Sequence, residues 1–502
     1  MRRSYAPSTD RMPLGVGAPP DRRWLALVVI ALAQLMVALD ATIVNIALPS
    51  AQADLGFADA DRQWVITAYT LAFGGLLLLG GRVADHIGRR HAFLAGLVGF
   101  AVSSAIAGAA AGFPMLVTGR ALQGAFAALL TPTALSMVAV TFTEPKERAR
   151  AFGVYGAVAS SGGALGLLLG GALTGYLDWR WCLYVNVAIA AVALVVGRVV
   201  LPTPAVFARP TIDLVAGALI TGGLVAVVYG CSQAVQHGWT SGRVAAPLVA
   251  GVALSCLFLV RQGRTASPLL PLHILTSRAR AGAYLSVAAA VVGSFGVFLM
   301  LTYYFQVVLQ YSPLRTGLAF LPLSAAVSFS AYGLGSHLLP RVPPRVLIGP
   351  GLLVAAAALA LLTRLDPSSG YLTLILPVQV LLGAGIGCVF TPAISVATTG
   401  VQPTDAGIAA AAASTAMQVG GSIGAAVLNT IAITATGAYL SSHAHSAAAG
   451  TAALIDGYAA ATGWAAALLA VVAVVAFMLI RFPQPQNAPS TPTNREELSC
   501  RS

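Results

Sequence analysis

Gly80-Gly81-Arg82-Val83-Ala84-Asp85-His86-Ile87-Gly88-Arg89-Arg90 separates two long apolar runs, one starting near Trp64 and the other near His91. A bilayer core needs roughly 20 apolar residues per helix, so the stretch reads as a tight loop between the second and third membrane helices. Its glycines permit close helix approach and a sharp turn. Asp85 can pair with a nearby Arg or cap a helix N-terminus. Gly81, Arg82, Asp85, Gly88, Arg89 and Arg90 can therefore form a latch that closes in one conformer and opens in another. The alternative is a plain charge anchor at the membrane surface.

Outward from this loop the pattern repeats. Apolar runs start near Trp24, Trp64, His91, Phe113, Ala151, Trp181, Asp213, Val244, Ala281, Thr316, Arg345, Tyr371, Gly407 and Ile455, which predicts an all-α membrane protein of about fourteen helices. Of the 502 residues, 58% are hydrophobic and 9% charged, against about 25% charged in soluble domains. No loop or tail exceeds about 25 residues, so a separate soluble domain is not expected. About twenty polar residues precede the first run and no small-residue cleavage site follows it, so that run reads as a retained helix rather than a signal peptide.

An even helix count puts both termini on one side. With the N-terminus in the cytoplasm, the inner segments carry 22 Lys and Arg and the outer segments five, namely Arg62, Arg180, Arg243, Arg315 and Arg364, with Arg120 left inside a helix. This split is the positive-inside pattern. It accounts for the net charge of +12 by orientation in the bilayer, so nucleic acid is not an expected partner. The only lysine is Lys146, in Glu144-Pro145-Lys146-Glu147, which rules out a GxxxxGK[ST] phosphate loop. The five cysteines form no CxxC pair and read as packing residues. No metal, no cofactor and no enzymatic activity are implied.

The chain also repeats itself. Leu130-Thr131-Pro132-Thr133-Ala134-Leu135-Ser136 is matched by Phe390-Thr391-Pro392-Ala393-Ile394-Ser395, and Ser161-Gly162-Gly163-Ala164-Leu165-Gly166 by Val419-Gly420-Gly421-Ser422-Ile423-Gly424. The offsets are 260 and 258 residues, and Pro145 and Pro403 correspond as well. Colinear copies in the fourth–fifth and twelfth–thirteenth helices indicate duplication in one orientation, a parallel repeat. Six helices plus six leave two over, which must lie between the halves. The expected layout is a cytoplasmic tail (1–23), an N-terminal six-helix bundle (24–201), two extra helices with their loops (202–280), a C-terminal bundle (281–480) and a second cytoplasmic tail (481–502).

The GGRxADxxGRR pattern resembles the helix 2–3 signature of the major facilitator superfamily. Leu39-Asp40-Ala41-Thr42-Ile43-Val44-Asn45-Ile46-Ala47-Leu48-Pro49 and Arg120-Ala121-Leu122-Gln123-Gly124 are similar to motifs of its fourteen-helix drug:proton antiporters. So are Leu177-Asp178-Trp179-Arg180-Trp181, followed by Tyr184-Val185-Asn186, and Gln310-Tyr311-Ser312-Pro313-Leu314-Arg315-Thr316-Gly317. There are departures: Gly166 is followed by Leu167 where the family's fifth-helix motif usually has Pro, and His86 stands where Arg or Lys is common. The resemblance implies a bacterial inner-membrane exporter of small lipophilic molecules, driven by protons, working by alternating access and monomeric among lipid. A nutrient importer or facilitator of the same fold is the alternative. A non-transporting sensor would need an output domain.

Asp40 and Arg120 lie deep in helices one and four, and charge at that depth marks function by default. Asp40 is sixteen residues past Trp24 and Arg120 seven past Phe113, which puts both at a similar depth toward the outer half. Making and breaking such a pair would let Asp40 bind and release a proton; a fixed structural pair is the alternative. Polar residues inside helices are candidates for lining the substrate cavity: Gln34, Asn45, Tyr69, Gln123, Tyr303, Tyr304, Gln306, Gln379, Gln418 and Asn429. Each taken alone is more often an interhelical hydrogen bond than a substrate ligand. Gly163, Gly166, Gly170, Gly420 and Gly424 recur at short helical spacings that suit close, sliding helix contacts. The second half has no acid within a helix, which argues against a dicationic substrate.

Overall fold

The computed structural model describes residues 20–480 apart from 60, 143, 202–212, 266–267, 336–337, 339–340, 367–368, 400, 402–405 and 443–448. The described residues form helices and short connections, with no strand among them. The first half comprises α1 (Pro20–Leu55), α2 (Arg62–Ile87), α3 (Arg89–Gly108), α4 (Phe113–Thr141), α5 (Pro145–Tyr176) and α6 (Trp181–Val200). Two further helices follow, α7 (Leu214–His237) and α8 (Gly242–Arg264), then the short α9 (Leu272–Thr276). The second half begins with α10 (Arg278–Tyr303) and a π-helical turn, Tyr304–Val308. It continues through α11 (Pro313–Ala319), α12 (Leu321–Ser328), α13 (Pro344–Leu362), α14 (Leu376–Thr398), α15 (Ala406–Ser442) and α16 (Ala449–Leu479).

Thirteen described segments are long and apolar enough to cross a membrane, α11 and α12 running on as one of them. The remaining expected run, near Ala151, falls in α5. That helix has 32 residues, about 48 Å of rise, and its eight glycines between Gly153 and Gly175 dilute its hydropathy. The same glycines let it lie against α1. A Cβ at Gly162 would stand 2.7 Å from Ala38 Cβ, one at Gly170 2.9 Å from the Ile43 carbonyl, and one at Gly166 would overlap Thr42 Oγ1. The second half repeats this contact between α15 and α10: a Cβ at Gly420 would stand 2.5 Å from the Ala288 carbonyl, and one at Gly424 2.9 Å from Val292 Cα. Pro132 and Pro392 sit inside α4 and α14, so both sequence repeats fall on equivalent helices.

Membrane placement is written on the helix faces. In α3, Phe93, Gly96, Leu97, Phe100, Ser104 and Ala107 are buried at helical spacing, while Val98 and Val102 are exposed and apolar, as a lipid-facing surface requires. Gly88 joins α2 to α3 at φ 89°, a conformation costly for any side chain.

The extra helices cover one side of the junction between the halves. α7 packs on both α2 and α15: a Cβ at Gly75 would meet Thr221 Oγ1 at 2.8 Å, and Thr430 Oγ1 donates to the Cys231 carbonyl at 3.2 Å. Asp213 caps α7, accepting from Ala216 N at 3.0 Å, and takes Arg261 Nε of α8 at 2.9 Å. The Arg261 guanidinium holds the Asp213 carboxyl below the usual carboxylate range.

Candidate functional site

Three helices meet at one carboxylate, α1 carrying it and α4 and α6 donating to it, while α2 and α3 hold the donors of α4. Asp40 on α1 is 0% exposed and Arg120 on α4 is 1% exposed, with Arg120 Nη1 donating to Asp40 Oδ2 at 2.6 Å. Gln123, one turn from Arg120 on the same face, donates from Nε2 to Asp40 Oδ1 at 3.1 Å and to Ser104 Oγ of α3 at 2.7 Å. Its Oε1 accepts from Arg120 Nη1 at 3.0 Å. Asn186 on α6 donates from Nδ2 to Asp40 Oδ1 at 2.7 Å. Arg120 Nε donates to the Val65 carbonyl at 3.0 Å, and its guanidinium lies 4.4 Å from the centre of the Tyr69 ring. Taking two charges out of water costs several kcal/mol per ion unless geometry and further hydrogen bonds offset it. Here both carboxylate oxygens and three of the guanidinium's contacts provide that offset.

The sequence placed Asp40 and Arg120 at matching depth, and the structure puts them in contact. Two of the cavity candidates, Gln123 and Tyr69, belong to this cluster. Asn186 and Ser104 carry little signal in sequence: Asn186 reads as part of a helix-junction motif, and a lone Ser in a Gly/Ala-rich helix carries none.

A second polar cluster joins the two halves at the end marked by Leu55 and the start of α2. Arg62 is 3% exposed. Its Nε donates to Asn429 Oδ1 of α15 at 3.1 Å, and its guanidinium lies 4.3 Å from the Tyr303 ring centre. The Tyr303 hydroxyl donates to Gln52 Oε1 of α1, and Gln306 Nε2 donates to the Ile46 carbonyl at 3.0 Å. Tyr304 donates within its own half, to the Asp366 carbonyl at 2.9 Å. Thr70 and Ser422 hydroxyls meet at 2.6 Å. Arg62 reads in sequence as a loop charge; the structure makes it the first residue of α2 and buries it between the halves.

The other candidates are dispersed. Gln34 Oε1 accepts from the Tyr155 hydroxyl at 2.5 Å. Asn45 Nδ2 turns back to the Ala41 carbonyl at 3.2 Å. A Cβ at Gly74 would stand 2.7 Å from Gln418 Cβ. Gln379 is fully buried, with both amide atoms unpartnered among the described residues. In the loop motif, Arg82 Nη2 donates to the Pro268 carbonyl at 2.8 Å, in the connection between α8 and α9. Arg90 Nη2 donates to the Arg198 carbonyl at 2.5 Å. Gly81 lies beside Pro132, its Cβ position 3.8 Å away, and Arg89 begins α3. The Asp85 side chain lies outside the described residues.

A profile described as the Major Facilitator Superfamily matches residues 30–425. The chain belongs to that superfamily. It is 51% identical over 465 residues to the puromycin resistance protein pur8 of Streptomyces alboniger, covering 92% of each chain. It is 40% identical to the cephamycin export protein CmcT of Amycolatopsis lactamdurans, over 81% of this chain and 84% of that one. Among solved structures it resembles a bacterial homolog of the human lysosomal transporter Spinster, with TM-score 0.67 at 17% identity, covering 92% of this chain and 97% of that chain. That likeness concerns the fold. Two parallel six-helix halves with two helices between them are the architecture of this member.

Proposed function

We propose that this protein exports small lipophilic antibiotics or secondary metabolites in exchange for protons. The observation that carries the reading is the buried Asp40–Arg120 pair, 2.6 Å apart, in a chain half identical to a puromycin resistance protein. A proton reaching Asp40 neutralises the carboxylate and releases Arg120 from its partner. Because α1 and α4 carry the two groups, the change is felt by the packing of the first half. Both termini lie in the cytoplasm in this reading, which makes the Leu55 end of α1 the outer one. The cluster around Arg62 then closes the outer side, and export requires its contacts to separate. The loop motif from Gly81 to Arg90 acts on the inner side, with Arg82 holding the segment that leads into the second half. The bundles are 24–201 and 281–480, the protein works as a monomer in the bacterial inner membrane, and the remaining polar candidates, including Gln34 and Gln379, face the substrate during the cycle.

Puromycin is the first compound to test. Purified protein in vesicles under an imposed pH gradient is expected to move puromycin against its concentration gradient. Asp40→Asn, which keeps shape but cannot carry the proton, is expected to lose that concentration. Concentrative transport by Asp40→Asn would overturn the proton site. Absence of puromycin transport by the wild type, with other lipophilic antibiotics transported, would overturn only the choice of compound.

A further inference from the structure

The surroundings of Asp40 suit a carboxylate, and among the described side chains hydrogen-bonded to it one can also suit a carboxylic acid. Oδ1 receives two amide N–H donors, from Gln123 and Asn186, and Oδ2 receives Arg120. If a proton arrives on Oδ1, its O–H must find an acceptor, since a buried donor without a partner costs about 1–3 kcal/mol. Arg120 has no acceptor to offer. Gln123 cannot turn its amide without cost, because its Oε1 holds Arg120 and its Nε2 also serves Ser104. Asn186 differs. It is 0% exposed, and its Oδ1 has no partner among the described residues. A half-turn of that amide breaks only the bond to Asp40 and presents the idle oxygen to the same point.

We infer that Asn186 is a positioning residue for the proton on Asp40: its amide donates to the carboxylate and, after a half-turn, accepts from the protonated acid. The inference rests on Asp40 being the proton site. The proton comes from the medium and adds to Oδ1; no other bond forms or breaks except hydrogen bonds. The titratable and charged groups facing Asp40 among the described residues are Arg120 on α4, Tyr69 on α2 and Cys182 on α6. The α5 face that packs along α1 here is glycine. Neither Tyr69 nor Cys182 is hydrogen-bonded to Asp40: Tyr69 lies with its ring against Arg120 and its hydroxyl, unpartnered among the described residues, makes no bond to the carboxylate, and the Cys182 sulfur is engaged with Thr174 at 3.3 Å.

The test is acid-induced infrared difference spectroscopy on the full-length protein in lipid, with protons as the only added ligand. The wild type is expected to show a hydrogen-bonded carboxylic acid band that is missing in Asp40→Asn. In Asn186→Val that band moves up to the position of an unbonded acid, whereas Asn186→Thr, matched in shape but with a hydroxyl able to accept, keeps it low. Selective isotope labelling of the Asn side chains gives a second readout that needs no substitution at 186. One labelled amide band is expected to shift on acidification in the wild type and not in Asp40→Asn. An acid band in Asn186→Val identical to the wild type, or unshifted Asn amide bands alongside a normal acid band, overturns the role of Asn186 and leaves Asp40 standing. A band that persists in Asp40→Asn removes the proton site itself, and this inference with it.

Discussion

Arg62 Nε and Asn429 Oδ1 meet at 3.1 Å across the junction of the two halves, with Tyr303 stacked against the same guanidinium. A buried cation held by a charge-assisted hydrogen bond and an aromatic face is stabilised by about 2–3 kcal/mol relative to its loss.

Arg62→Ala is therefore expected to favour separation of the two halves at this end, by about tenfold or more, and on the proposed orientation this end faces outward. In a background without native cysteines, a cysteine at Ser422 should gain labelling by a membrane-impermeant maleimide added from outside. Arg62→Lys keeps the charge but loses the planar fork, so an intermediate gain is expected. Unchanged labelling in Arg62→Ala would show that this cluster does not hold the outer side closed.

The glycines of α5 make a sharper steric prediction. Gly166→Ala forces a Cβ into Thr42 Oγ1 and within 2.8 Å of the Leu39 carbonyl, and overpacking of that kind costs about 1–3 kcal/mol. Gly163→Ala meets only Thr42 Cγ2 at 3.9 Å and should be tolerated. Thermal unfolding followed by fluorescence size-exclusion should lower Tm for the first and leave the second near wild type. Equal behaviour of the two would mean that α1 and α5 separate at this point.

The fold was legible because its signals are long. Fourteen apolar runs and two colinear repeats, 260 and 258 residues apart, each extend over many residues. The Asp40–Arg120 contact was legible because two charges inside apolar helices have no other affordable partner. Arg62 was not, because a charge at a helix start looks the same in sequence whether it faces water or the other half. Asn186 was hidden for another reason: its contact with Asp40 and its unpartnered oxygen depend on how the helices pack around it. Tyr69 and Gln123 were singled out for the substrate cavity, yet they surround Arg120, because sequence gives a residue's depth but not which neighbour it faces.

Asp213 and Arg261 give a pH dependence outside the bilayer. The pairing depresses the Asp213 carboxyl in the folded protein from its ordinary value of 3.8. A depressed acid contributes stability that is present above its unfolded value and lost as pH falls through the folded one. The ends of α7 and α8 should thus stay joined at neutral pH and loosen as pH falls from 3.8 through the lowered folded value. Spin-label distances between positions 215 and 263 should lengthen on acidification in the wild type, and Asp213→Asn should give the lengthened distance at every pH. Because Arg261 is partly exposed, raised salt should weaken the effect. A distance independent of pH in the wild type would leave the hairpin held by packing alone.

At the central pair, stability and the proposed coupling can be tested apart. Removing one partner of a buried ion pair strands the other and costs about 3–5 kcal/mol. Arg120→Leu should accordingly lower Tm strongly, because Asp40 retains only the amides of Gln123 and Asn186. Replacing both partners with neutral groups of similar shape, Asp40→Asn with Arg120→Gln, removes the stranded charge and should recover most of that Tm. Coupling follows a different rule, since neither variant has both a titratable acid and the cation that responds to it. On the proposed function, both are expected to fail to concentrate a compound that the wild type exports under a pH gradient, puromycin being the first to try, the double variant while folded and the single one while destabilised. Recovery of Tm without recovery of transport is the signature of a pair that works rather than merely holds. A double variant that regained concentrative transport would reduce Asp40 and Arg120 to a structural contact and move the proton to another group.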